Sequence, residues 1–302
     1  MSIGFYLLGR FTKPKLEPHI WLRQLEKWIL RKCSDLQPAT RQGFIQEKPC
    51  LFSTFHPAAE EVEIALPDPN HITVSANTST AGPGYHIFLC DLLHRWTDDF
   101  SINWKRFGPD DDTCFGDEAD YFFGRNQRSV YGHMEHWLKR LTGGFFDGTF
   151  DPDLKEIALC MPMNVRFEAN SLAITQLGPR NRDWLFQMSN GSIDYHEFFP
   201  WYKPGINADY HLGRALVHMW SDIRWRKSVD QNEAHLVQSV LSSLELAYRM
   251  DPTLQFPWNE WQELLVLSEK KVPNFLRQQA TGAGHIGYRR RRVKTSLPGV
   301  LS

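Results

Sequence analysis

The chain has 302 residues, 42% hydrophobic and 23% charged, a balance that excludes a disordered or fibrous protein and fits one large or two closely packed globular domains. Its formal net charge of −1 gives no global attraction to nucleic acid or an anionic membrane, and only the C-terminal tail departs from that balance. Five cysteines, Cys33, Cys50, Cys90, Cys114 and Cys160, are odd in number and never form a C-x-x-C pair, which argues against a disulfide framework or a zinc ribbon and for a reducing compartment. The start, MSIGFYLLGRFTKPK, lacks a basic n-region and a small-residue cleavage site, and no later stretch is apolar enough to span a bilayer. A soluble, cytoplasmic protein is expected.

Ile3 to Phe11 has strand composition, and beyond Pro14 and Pro18 the residues Trp21, Leu22, Leu25, Trp28 and Ile29 recur at helical spacing. EVEIALPDPNHITVSAN reads as two short strands, 61–66 and 71–76, about a Pro-Asp-Pro-Asn turn. A helix over 84–97 follows, burying Tyr85, Phe88, Leu89, Leu92 and Trp96, and FSINW reads as another strand. After an acidic loop, Ser129 is expected to cap a helix carrying Val130, Met134, Trp137, Leu138 and Leu141, which ends at Gly143 and Gly144. FFDGTFDPD looks like a boundary, so the halves are placed at 1–145 and 146–302.

The second half opens with strand-like residues 156–175 and turns helical from about residue 205. Leu212, Ala215, Leu216, Met219, Trp220 and Ile223 form one stripe; Leu236, Val237, Val240, Leu241, Leu244, Ala247 and Tyr248 form the next; Trp258, Trp261, Leu264 and Leu265 form the last. Strands followed by helices, twice over, predict an α+β fold of short antiparallel strands with packed helices. An internal echo links EIALPDPN-HITVSAN to EIALCMPMN-VRFEAN, each running on to a Gly-Pro pair, Gly82–Pro83 and Gly178–Pro179. It reads either as an old duplication or as a coincidence between two ordinary strand–turn–strand segments.

The loop SANTSTAGPGYHIF has the outline of an anion cradle, with Gly82, Gly84 and a helix start supplying backbone N–H groups and Thr78, Ser79 and Thr80 adding hydroxyls beside His86. It lacks the lysine of a P-loop and the third glycine of a dinucleotide fingerprint, so a plain strand–turn–helix joint is the competing reading. His211, Arg214, His218 and Asp222 share one side of the helix after Asn207, the best polar constellation in the sequence. A pocket between the 78–86 loop and the 207–225 helix is therefore the enzyme or small-anion-binding alternative. His133, Glu135 and His136 miss the spacing of a metalloprotease helix, and from Asp110 the sixth residue of an EF-hand loop would be Phe115, not glycine. No metal site, cofactor or catalytic motif is expected.

Asp110, Asp111, Asp112, Asp117, Glu118 and Asp120 form an acidic segment suited to steering a basic protein partner. The tail over 285–302 carries Arg289 to Arg292, the one stretch suited to nucleic acid, with a solvated or partner-pairing tail as the competing reading. In its Trp-rich α+β character, its lack of catalytic signatures and its acidic loop, the chain resembles bacterial immunity proteins that neutralise a cognate toxin. That resemblance implies a protein-binding module that occludes a partner such as a basic toxin domain.

Overall fold

The computed structural model describes residues 2–12, 17–107, 114–147, 157–159, 173–175, 178–192 and 194–282. The fold is α+β. Strand β1 (Gly4–Phe11) leads into helix α1 (Pro18–Lys32), then β2 (Ala39–Ile45), β3 (Lys48–Thr54), β4 (Val62–Asp68) and β5 (His71–Asn77). Helix α2 (Pro83–Phe100) follows, then β6 (Ile102–Trp104), β7 (Gly116–Asp117), the short α3 (Tyr121–Gly124) and α4 (Gln127–Gly143). The strands form one antiparallel sheet in the order β2-β3-β4-β5-β1-β6, with β7 also paired to β1.

Alternation along the strands decides which face is covered. Phe5, Leu7, Phe11, Ile64, Ile72 and Val74 point into the main apolar core, shared with α1 and α2. Register places Tyr6, Glu63, Thr73 and Ser75 on the opposite face. Helix α1 starts on Pro18, whose missing N–H costs nothing in the first turn, and carries Arg31 and Lys32 where the helix dipole favours cations. By contrast α2 is buried on almost every side, from Pro83 to Trp96, and forms the centre of the molecule.

Beyond α4, β8 (Ile157–Leu159), β9 (Ala173–Thr175) and β10 (Gly178–Arg180) form a small mixed sheet. Five helices complete the described chain: α5 (Arg182–Asn190), α6 (Ala208–Ser221), α7 (Gln231–Met250), α8 (Trp258–Leu267) and α9 (Asn274–Gly282). Asparagine or aspartate side chains start four of the helices: Asn126 accepts from Ser129 N–H, Asn181 from Trp184, Asn207 from Tyr210 and Asp230 from Glu233. Asn126, rather than Ser129, is thus the cap of α4.

The cores do not part at residues 145 and 146. The first runs on through Phe199, Trp201 and Tyr210 to Val217, and the second gathers α7, α8 and α9 around Ala215, Met219 and Trp220. Helix α6 serves both cores with different faces. The second copy of the echo lies mostly outside the described residues, although Gly82 and Gly178 share a φ of 113° and each lies against an aromatic ring, Phe199 and Trp220 respectively.

The seating of α6 depends on Gly213, where a Cβ would sit 1.8 Å from the Pro200 carbonyl oxygen. Gly213→Ala is expected to lower unfolding free energy by about 3 kcal/mol, because backbone must move to admit the methyl group. Gly132→Ala, on the exposed side of α4 with nothing within 4 Å, should raise it by about 0.5–1 kcal/mol. Urea denaturation of both variants checks the pair.

Candidate functional site

The loop expected to cradle an anion is filled by the chain itself. Gly84 N–H donates to the Trp201 carbonyl at 3.0 Å, and Trp201 N–H donates to the Ala81 carbonyl at 2.9 Å. A Cβ on Gly84 would meet Trp201 and the Lys203 carbonyl within 3 Å, and one on Gly82 would meet the Phe199 ring. Thr78 and Ser79 are buried: Thr78 is bonded to Ile3 and His86, and Ser79 to Asn77. Thr80 donates to the Ala58 carbonyl. These hydroxyls and amides are therefore committed to joining the sheet, α2 and residues 199–203.

The 78–86 loop and α6 do approach one another, but Trp201, Tyr210 and His56 fill the space between them. Arg214 is spent on the Leu36 carbonyl, the Gln37 side chain and the Tyr210 hydroxyl. His218 Nδ1 lies 2.6 Å from Asp222, and burial with the nearby Arg214 lowers the pKa of half-buried His211. The pocket anticipated between these elements is thus a packed joint. Sequence reasoning passed over His56, whose Nδ1 accepts the Ala58 N–H at 3.1 Å. Burial, then Arg214 and His218, push its pKa down to about 3.

The acidic segment divides. Asp110, Asp111 and Asp112 lie outside the described residues. Asp117 is no surface recognition group: its carboxylate accepts the backbone N–H groups of Ala119, Tyr121 and Phe122 at 2.7–2.9 Å and so holds the start of α3. Burial alone would raise its pKa, but His86 and those N–H groups outweigh burial and hold it below the usual aspartate value. Glu118 is exposed yet accepts the Gly4 N–H at 2.7 Å, and Asp120 is exposed at the end of the same turn.

What this segment does build is a wall. A groove of about 710 Å³ lies over the uncovered sheet face, with Tyr6, Ala65, Thr73 and Ser75 in its lining together with Phe115 and Gly116. Phe115 packs at a tilt against Tyr6, ring centroids 4.4 Å apart, and stacks on Phe107, which fixes the wall to the sheet. Among the described residues that line the groove, Glu63, Asp117 and Glu118 are acidic and none is lysine or arginine. Arg41, nearby on β2, is committed to Glu61 and to the face of Phe52.

Asp117 also belongs to a second cluster. His86 and Cys90, one turn apart on α2, meet it in the interior, with one ligand-type atom from each lying within 4.8 Å of the others. No metal-ligating set was expected from sequence, because these three residues form no local motif. Comparison with models of protein families, with curated proteins and with solved structures finds no match. The chemistry of these side chains alone carries the functional reading.

His56 gives a pH dependence of known sign. The unfolded chain takes up the proton near pH 6.5 whereas the folded chain refuses it until about 3, so the stability present above 6.5 is lost as the pH falls through that window. The slope from this one group is about 1.4 kcal/mol per pH unit. His56→Asn, which keeps an acceptor for Ala58, should flatten that part of the stability curve measured by urea melts between pH 7 and 4.

Proposed function

We propose that the chain is a protein-binding module that sequesters a basic partner, docking an extended segment of it in the groove over the open face of the sheet. The observation that carries this reading is the charge of the groove, whose exposed acidic side chains are Glu63 and Glu118 and whose described lining has no lysine or arginine. In a chain of net charge −1 the field is local, so it favours one docking site over general adhesion to cations. Carboxylates at the rim steer a cationic segment to the site and repel nucleic acid.

The floor supports the same reading. Its side chains stand on β1, β4 and β5, and their two-residue repeat matches that of an extended polypeptide laid against them. Phe115 and Tyr6 supply an aromatic anchor of the kind that dominates protein interfaces. The imidazole of His56, the phenol of Tyr85 and the thiol of Cys90 lie sealed in the core, a placement that favours binding over catalysis. Cys33, Cys50, Cys90 and Cys114 are free thiols, which suits a reducing, cytoplasmic setting. Among the described residues no helix is long and apolar enough to cross a membrane. Occlusion of a basic toxin domain, the role suggested by the immunity-protein resemblance, is the specific form this activity takes.

A labelled peptide of alternating Lys and Val tests the groove. At low salt the wild-type chain is expected to bind it, and Glu63→Lys should weaken binding by about tenfold or more, since a rim charge is reversed. Glu245→Lys, on α7, should leave binding unchanged in fluorescence anisotropy. Absent binding, or equal losses in the two variants, contradicts the reading.

A further inference from the structure

We propose that His86 Nε2, Cys90 Sγ and Asp117 Oδ1 form a buried site for one divalent ion of the zinc class. This inference goes beyond the groove and does not depend on what docks there.

The hydrogen bonds around His86 orient its ring. Thr78 Oγ1 lies 3.0 Å from the Ile3 carbonyl, which also accepts the Thr78 and Ser79 N–H groups, and 2.9 Å from His86 Nδ1. Metal binding at Nε2 uses the tautomer in which Nδ1–H donates to Thr78 Oγ1. Nε2 is then a lone pair in the interior, 3.1 Å from Asp117 Oδ1. A threonine holding the far nitrogen is the arrangement that orients metal-ligating histidines.

Asp117 presents the matching half. Three backbone N–H groups occupy most of its acceptor sites, two on Oδ2 and one on Oδ1. The remaining lone pair on Oδ1 faces Nε2, and either a ring proton or a metal ion between the two atoms satisfies both. A proton on Nε2, making a plain buried hydrogen bond to Asp117, is the rival the experiment must separate.

Cys90 supplies the third donor. Burial, with Asp117 and Asp91 nearby, pushes its thiol pKa well up, so without metal it is a neutral S–H. On metal binding the S–H bond breaks, the S–metal bond forms and the proton leaves to water. Thiolate and carboxylate together then balance the two positive charges, as a buried ion requires. Metal–ligand bonds of about 2.0–2.3 Å place tetrahedral ligand atoms roughly 3.3–3.8 Å apart, within small side-chain movements of the observed cluster. The mixed nitrogen, sulfur and oxygen set selects zinc or cobalt over magnesium or calcium.

The test uses the full chain, stripped with chelator and titrated with Co²⁺ and then Zn²⁺. A thiolate-to-cobalt charge-transfer band is expected that saturates at one ion per chain, is lost in Cys90→Ser, persists in Cys114→Ser and is displaced by zinc. Thr78→Val should weaken zinc binding about 10–100-fold by releasing the His86 ring. Zinc-edge X-ray absorption on the wild-type chain needs no variant and should report one sulfur scatterer with the rest nitrogen and oxygen. Absence of the band in folded wild-type protein, a band that follows Cys114, or a zinc shell without sulfur overturns the proposal in favour of the plain His86–Asp117 hydrogen bond.

Discussion

The attachment of the helical region to the sheet rests on a reciprocal pair of backbone hydrogen bonds, Gly84 N–H to the Trp201 carbonyl and Trp201 N–H to the Ala81 carbonyl. A helix N-terminus exposes N–H groups that must be satisfied, and here one of them finds a peptide carbonyl in place of an anion. The approach is close enough that neither Gly82 nor Gly84 has room for a side chain, and Gly82 adds a positive φ of 113°. With Trp201 fixed at 0% exposure, Tyr210 packs on it, α6 is aligned, and the opposite face of α6 nucleates the second core.

That constraint sorts the polar residues into two populations. Those near the joint, Thr78, His86, Asp117 and His56, are drawn into the interior, where each hydrogen bond is costly to lose. Those on the outer face of the sheet, Glu63 and Ser75 among them, line the groove, and α1 and α2 cover only the other face. A single antiparallel sheet thus yields a dry side that organises titratable groups and a wet side that offers an acidic groove.

Much of the architecture was legible in the sequence. The helices α1, α2, α4, α6, α7 and α8 all carry apolar side chains at three- and four-residue spacing, and β4 and β5 alternate as half-buried strands do. The hairpin of β2 and β3 was not foreseen. Edge strand β2 has no buried residue to set an alternation, and β3 contains Pro49 and then a continuous buried run. Helix α5 escaped because it is short and carries only Leu185 and Met188 as fully buried positions.

The site was less legible than the fold, for a physical reason. Composition counts Asp110 to Asp120 as one acidic segment, yet whether a carboxylate meets solvent or backbone N–H groups depends on the chain path after it. Asp117 precedes a turn that aims three N–H groups back at it, while Glu118, next to it, faces outward. The glycines of the 82–84 loop were read as an anion cradle or a plain turn, whereas they admit Trp201 and Phe199, contributed from far along the chain. Native-state hydrogen exchange on the amides of Gly84 and Trp201 tests this joint most directly. Both are expected to exchange only through global unfolding, at the same free energy as the best-protected amides of β5, and phosphate should leave them unchanged. Rapid exchange at Gly84, or protection that appears only when phosphate is added, would contradict the joint and restore the loop as an anion site.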